Sequence, residues 1–171
     1  MRWPVQLNAD WCQAGFQLGL INRTVQFIHV LGRRTKELDT IIGRLSTGVK
    51  ALDHCIERLY TTGNQPAIDA PILAAAEILF THLPKSRESD GDPEARLQCL
   101  VAAWMSMMGA PNFAMGLSHA IGHILGVKYS VGHGYTSCVT QPYVMEFNRP
   151  VSAAKQALLA RSAGLDTRGM S

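Results

Sequence analysis

The sequence predicts an all-α fold, a bundle of roughly six to eight helices. Three observations carry that expectation. Apolar residues recur at spacings of three and four through several long windows, with capping and stop residues between them. Only Val127-Lys128-Tyr129-Ser130-Val131 alternates like a strand, and five residues are too few to found a sheet. At 171 residues and 47% hydrophobic, the chain can bury a real core, but only one domain's worth.

From Asn8 to Leu31 apolar residues are frequent (Trp11, Phe16, Leu20, Ile21, Val25, Phe27, Ile28), compatible with one or two helices that Gly15 and Gly19 weaken. Thr35 can cap a short helix carrying Leu38, Ile41, Ile42 and Leu45. Ser46 to Thr62 then sets Val49, Leu52, Ile56, Leu59 and Tyr60 on one stripe, and Gly63-Asn64-Gln65-Pro66 stops it. Ala67 to Leu83 repeats the pattern until Pro84, and the polar stretch Lys85–Gly91 reads as a loop. Asp92-Pro93-Glu94 combines a capping acceptor, a first-turn proline and an acid at the positive helix end. The helix it opens carries Leu97, Leu100, Val101, Trp104 and Met108. Another runs from about Pro111 to Leu125 and stops at Gly126. After the strand-like link come a helix from about Gly134 to Phe147 and a last one opened by Pro150 through Leu158.

Composition excludes several classes. Apolar content is too high and the net charge of +3 too low for a disordered chain, and the collagen, mucin and disulfide-scaffold patterns are missing. Basic residues are scattered, without the stripe a nucleic-acid binder shows. The apolar stretch Ala14–Leu31 is broken by Gln17, Asn22, Arg23 and Gln26, so a membrane span is not expected. Cys12, Cys55, Cys99 and Cys138 lie far apart with no CxxC, as buried thiols do in a reducing compartment. A cytoplasmic protein is the expectation. A complete oxidoreductase with its own nucleotide-binding domain is hard to fit in this length.

Chemistry falls to the histidines. His119 and His123 stand four apart, so both project from one helical face. Surface histidines meet that spacing by chance, and the zinc-protease reading fails because position 120 is Ala rather than Glu. Small residues flank each ring, and His133 precedes a helix whose first N–H groups favour an anion or a polar substrate group. This is a pocket's composition rather than a solvated face's, and imidazoles suit Zn or Fe(II).

The run from Gly116 to Asn148 resembles the signature of the iron-type (group III) alcohol dehydrogenases and their relatives the maleylacetate reductases. The resemblance lies in Gly116-Leu117-Ser118-His119-Ala120-Ile121-Gly122-His123-Ile124-Leu125-Gly126, then Gly132-His133-Gly134, then Pro142-Tyr143-Val144-Met145-Glu146-Phe147-Asn148. Upstream, Gly48-Val49-Lys50-Ala51-Leu52-Asp53-His54-Cys55-Ile56-Glu57 is similar to a second helix of that family, in the family's order. The resemblance covers about residues 46–150. It implies the helical C-terminal domain of a dehydroquinate synthase-like fold and an NAD(P)-dependent oxidoreductase. The implied partner is a small alcohol, aldehyde or keto acid, with a homodimer as an open assembly.

By position, the family's metal would be held at Lys50, His54, His119 and His133, while His123 would stand beside the reacting carbon. Lys50 departs from the pattern, because an ammonium replaces the family's ligand Asp and repels a divalent cation; that counts against Fe or Zn. Maleylacetate reductases also lack the Asp and work without metal, and the chain leans towards them. Two readings stay open. The Lys50 ammonium takes the metal's place and polarises a substrate oxygen, or it points to solvent and the site has decayed. Among the other singled-out groups, His29 and His82 match nothing in the family. Met105, Met107, Met108 and Met115 read as core filler, and Cys55 and Cys138 lack an activating basic partner. Glu57 reads as an acceptor orienting the His54 ring or as a surface ion pair.

No Gly-rich turn follows a strand, and residues 1–45 resemble no part of the family. The sequence therefore reads as an unassigned N-terminal helical segment, 1–45, joined to part of the helical domain, 46–171. Either it supplies the substrate and metal side of an oxidoreductase, or it is a truncated remnant or binding module. A helical metal-binding protein using His54, His119 and His133 is the third possibility.

Overall fold

In a computed structural model, the described residues are 36–87, 92–108 and 115–168, with side chains from Ile41 onward. The expectations for Asn8–Leu31, Cys12, His29 and the start at Pro111 lie outside them. Five α-helices and one 3₁₀ turn make up the described residues, and no strand is among them: α1 (Lys36–Tyr60), α2 (Pro66–His82), the turn Lys85–Arg87, α3 (Pro93–Ser106), α4 (Leu117–Tyr129) and α5 (His133–Ser162).

The expected break before Ser46 does not occur. Neither glycine nor proline breaks α1 there, and Ser46 and Thr47 turn their hydroxyls back onto the carbonyls of Gly43 and Arg44 instead of capping a new helix. Gly63, at φ +83°, then turns the chain, as its position predicts. Pro66 opens α2, and the Asp92 carboxylate accepts the Glu94 N–H at 2.9 Å to open α3.

Two expectations fail near the C-terminal half. The strand-like run 127–131 is the last turn of α4 followed by Ser130 in the left-handed region at φ 54°. There the Ser130 N–H closes on the Gly126 carbonyl, so Gly126 sits inside the helix instead of ending it. The two helices expected around Pro150 are one continuous element, α5. It is nevertheless bent. Gln156 Nε2 donates to the Met145 carbonyl at 2.8 Å, although eleven residues of straight helix rise about 16 Å, further than a glutamine side chain reaches. Pro142 and Pro150 remove ladder hydrogen bonds, and the Gln156 amide covers a carbonyl at the bend.

The bend arranges the core. The first part of α5 lies along α1, with Gly134 against Ser46 and Ser137 against Asp53. Its last turns reach α2, where Lys155 pairs with Asp69 at 2.5 Å. Between them Leu52, Cys55, Ile56, Leu59, Ile72, Ala76, Leu79, Met145 and Leu159 form one buried cluster. α3 buries fully only its small residues Ala95, Ala102 and Ser106, with Cys99 and Met105 packed partly buried against the core. Its expected apolar stripe points outward, leaving Leu100 69% and Trp104 68% exposed. α5 carries a second exposed row at four-residue spacing, Tyr135, Val139, Tyr143, Phe147 and Val151. No described helix is long and apolar enough to cross a membrane.

Candidate functional site

Three helices meet at a cluster of imidazoles. From α1 come Lys50, Asp53, His54 and Glu57, whose spacing of three, one and three places them along one face. α4 supplies His119 and His123 one turn apart, and the start of α5 supplies His133 and Ser137. Lys50 does not point to solvent. Its Nζ lies 2.7 Å from Asp53 Oδ2 and 2.8 Å from His119 Nδ1. Ser137 donates to the same Asp53 oxygen at 2.6 Å. On its far side His119 faces His123, Nε2 to Nε2, at 2.8 Å. His133 stands edge-on to both rings, with centroids 5.0 Å from His119 and 4.7 Å from His123. One ring nitrogen from each of these three lies within 4.8 Å of the other two. His54 sits a step aside, 5.6 Å from His119 between centroids.

Close approach depends on the small residues of the motif. A Cβ at Gly122 would meet Thr136 Oγ1 at 2.8 Å and the His133 ring at 2.9 Å, so only glycine lets that ring settle against α4. A Cβ at Gly116 would fall 2.5 Å from a Glu57 oxygen. Glu57 neither orients His54 nor forms a surface pair. Its carboxylate caps α4, accepting the N–H groups of Gly116 at 3.0 Å, Ser118 at 2.7 Å and His119 at 3.4 Å. An anion at the positive end of that helix fixes both imidazoles it carries.

Burial favours the neutral form of His54, His119 and His133. Burial, then the Lys50 charge, lowers His54 to about 4. The same two causes, joined by His123 and His133, lower His119 to about 4, and His133 is shifted down as well. Glu57 is pushed up to about 7 by burial and by Asp53, against the pull of its backbone donors. Lys50 and Asp53 form a compact ion pair beside these three rings. Burial raises the Cys55 and Cys138 thiols to about 12, which keeps them protonated and poor nucleophiles. His82 ends α2 and belongs to no cluster among the described residues.

Asp53 and Ser137 are the members that sequence reading did not single out. The position of Asp53 three residues after Lys50 is the one signal that was available.

A profile of the "Fe-containing alcohol dehydrogenase family, C-terminal" matches residues 44–171. The chain belongs to the iron-containing alcohol dehydrogenase family. Within that family it is 32% identical over 127 residues to the NAD-dependent methanol dehydrogenase of Bacillus methanolicus, which covers 74% of this chain and 33% of the relative. It is 34% identical over 128 residues to the lactaldehyde reductase of Escherichia coli K12, covering 75% and 33%. Among solved structures, the alcohol dehydrogenase from Oenococcus oeni superposes with a TM-score of 0.71 at 26% identity, over 75% of this chain and 33% of that one. The chain therefore spans about a third of the length of these iron-containing alcohol dehydrogenase relatives, and its helices match their helical C-terminal part.

Proposed function

We propose that these helices form the substrate side of an NAD(P)-dependent oxidoreductase that interconverts small alcohols and carbonyl compounds, with Lys50 standing where the family places a metal. The contact that carries the reading is Lys50 Nζ at 2.8 Å from His119 Nδ1, with Asp53 behind it. The family's divalent ion does not fit this donor set. Of the four positions, three offer imidazoles and the fourth an ammonium, which holds the Nδ1 lone pair of His119 and repels a cation at that distance. Buried beside an acidic partner, the ammonium is a preorganised positive charge able to polarise a carbonyl or carboxylate oxygen. His123 is exposed at the open edge of the cluster, where it can hold or pass the proton that a carbonyl oxygen gains on reduction. His54 and His133 then shape the pocket as neutral rings.

NAD(P) is the hydride carrier this reading implies. The described residues contain no strand and hence no βαβ cradle for its pyrophosphate. The reading therefore assigns nucleotide binding to a polypeptide region other than these helices. A cytoplasmic location, a small alcohol, aldehyde or keto acid as substrate, and a homodimer belong to the same proposal.

Metal analysis of the purified chain tests the lysine reading. Wild type is expected to hold no stoichiometric iron or zinc, whereas Lys50→Asp gains about one zinc per chain. One tightly bound iron or zinc in the wild type overturns it. A second reading, a helical binding module without catalysis, is favoured by the exposed apolar rows on α3 and α5. Supplying a nucleotide-binding domain of a relative in trans separates the two, since only the first reading expects NAD(P)-linked turnover.

A further inference from the structure

We infer that Asp53 and Ser137 are positioning residues that aim the Lys50 ammonium at His119 and thereby fix the direction of a hydrogen-bond chain from Lys50 through His119 to His123. The inference rests on the reading of Lys50 as the charge of the site, but it concerns which ring nitrogen carries which proton. An ammonium has three donors and no acceptor. One of them goes to Asp53 Oδ2 at 2.7 Å and another to His119 Nδ1 at 2.8 Å. That nitrogen must therefore present its lone pair, and a neutral imidazole then carries its proton on Nε2. His119 Nε2 lies 2.8 Å from His123 Nε2, so its N–H is donated there, and His123 keeps its own proton on Nδ1. The opposite tautomer of His119 would press an N–H against the ammonium, with no acceptor between two donors.

Asp53 is what holds the direction. It is fully buried, and its Oδ2 takes donors from two helices, Lys50 on α1 and Ser137 on α5. With Ser137 attached 2.6 Å away, the carboxylate cannot turn from the ammonium without breaking a contact between α1 and α5. The failure of His119 as a metal ligand thus follows from Asp53 as much as from Lys50. A metal-bound imidazole ordinarily donates its other N–H to an acceptor, whereas here that nitrogen meets a donor.

The full chain carrying ¹⁵N-labelled histidine provides the test, because long-range ¹H–¹⁵N correlation reports which ring nitrogen is protonated. Wild type is expected to show His119 protonated on Nε2 and His123 on Nδ1. Asp53→Asn, which keeps the shape but not the charge, should convert His119 to a mixture of tautomers. Ser137→Ala should move it the same way by a smaller fraction, and it stands in if the Asp53 variant does not fold. The His82 resonances, remote from the chain, should stay fixed in both. His119 protonated on Nδ1 in the wild type, or an unchanged tautomer in both variants, overturns the positioning role. Stoichiometric zinc in the wild type would instead overturn the lysine reading, so the two failures are told apart.

Discussion

Replacing Gly134 by Ala should pry α5 from α1 and loosen the site with it. A Cβ at this position lies 2.6 Å from the Ser46 carbonyl carbon and 2.7 Å from its oxygen. Comfortable non-bonded separations are about 3.5–4.0 Å, so the helices must part by about 1 Å. Both obstructing atoms are backbone and cannot rotate aside. Overpacking of this kind costs about 1–3 kcal/mol. Gly43→Ala on α1 is the control, since a Cβ there meets nothing within 4 Å. It should stabilise by about 0.5–1 kcal/mol through the ordinary glycine-to-alanine gain in a helix. Urea unfolding followed by far-UV circular dichroism measures both. The expected outcome is a Gly134→Ala midpoint below wild type and a Gly43→Ala midpoint at or above it. A Gly134→Ala variant within about 0.5 kcal/mol of wild type would refute the reasoning, because that is the range of a surface change.

Other consequences are open to similar measurement. Glu57→Gln leaves one backbone donor of α4 facing an amide N–H₂ and should cost about 2–3 kcal/mol of unfolding free energy by the same denaturation assay. Gln156→Leu removes the side-chain hydrogen bonds to the Met145 carbonyl and to Ser152 Oγ at the bend of α5, with an expected loss of about 1–2 kcal/mol. Burial pushes the Cys138 thiol and the Tyr60 hydroxyl up to about 12, above their unfolded values. The folded chain therefore binds those protons more tightly, and its stability is full below the unfolded pKa values and falls as pH rises towards 12. For Cys138 alone the loss by pH 11 is about 3 kcal/mol, to be read as a falling urea midpoint between pH 8 and 11. Under native conditions at pH 8 the thiolate fraction of Cys138 is roughly one in ten thousand, so iodoacetamide should label it only after unfolding.

Fold class was legible in the sequence because period and punctuation agreed. Pro66 and the Asp92-Pro93-Glu94 start mark the helix openings they predict. Gly63 marks the turn it predicts. Where the fold departs from that pattern, tertiary context overrides local breakers. Gly126 and Pro150 both lie inside continuous helices, the first because a left-handed Ser130 ends α4 later, the second at a bend whose two sides Gln156 ties together through the Met145 carbonyl. Periodicity also gives no sign of which apolar stripe is covered. Leu100 and Trp104 share the spacing of Leu52 and Ile56 but lie on the outer side of the bundle. The grouping of His119, His123 and His133 was readable from spacing and glycine context, whereas the partner of Lys50 lay across 69 residues of sequence.

α1 shows why the rest escaped a pattern of apolar and polar positions. Asp53, Glu57 and Arg58 are each buried almost completely, beside a face that is already apolar. Burying such groups is costly unless each is paired, and each finds its partner on another element. Asp53 is answered by Lys50 and by Ser137 of α5, and Glu57 by the first N–H groups of α4. Arg58 Nη1 donates to the Met108 carbonyl just past α3. Among the described residues α1 packs against α3, α4 and α5, so the pairs form only when all three have docked. The contacts that assemble the imidazole cluster are then the same contacts that make burial of α1 tolerable. A substitution that unpairs one of them should be felt in the unfolding free energy and in the geometry of His119 together, as the loss of an exposed surface pair should not.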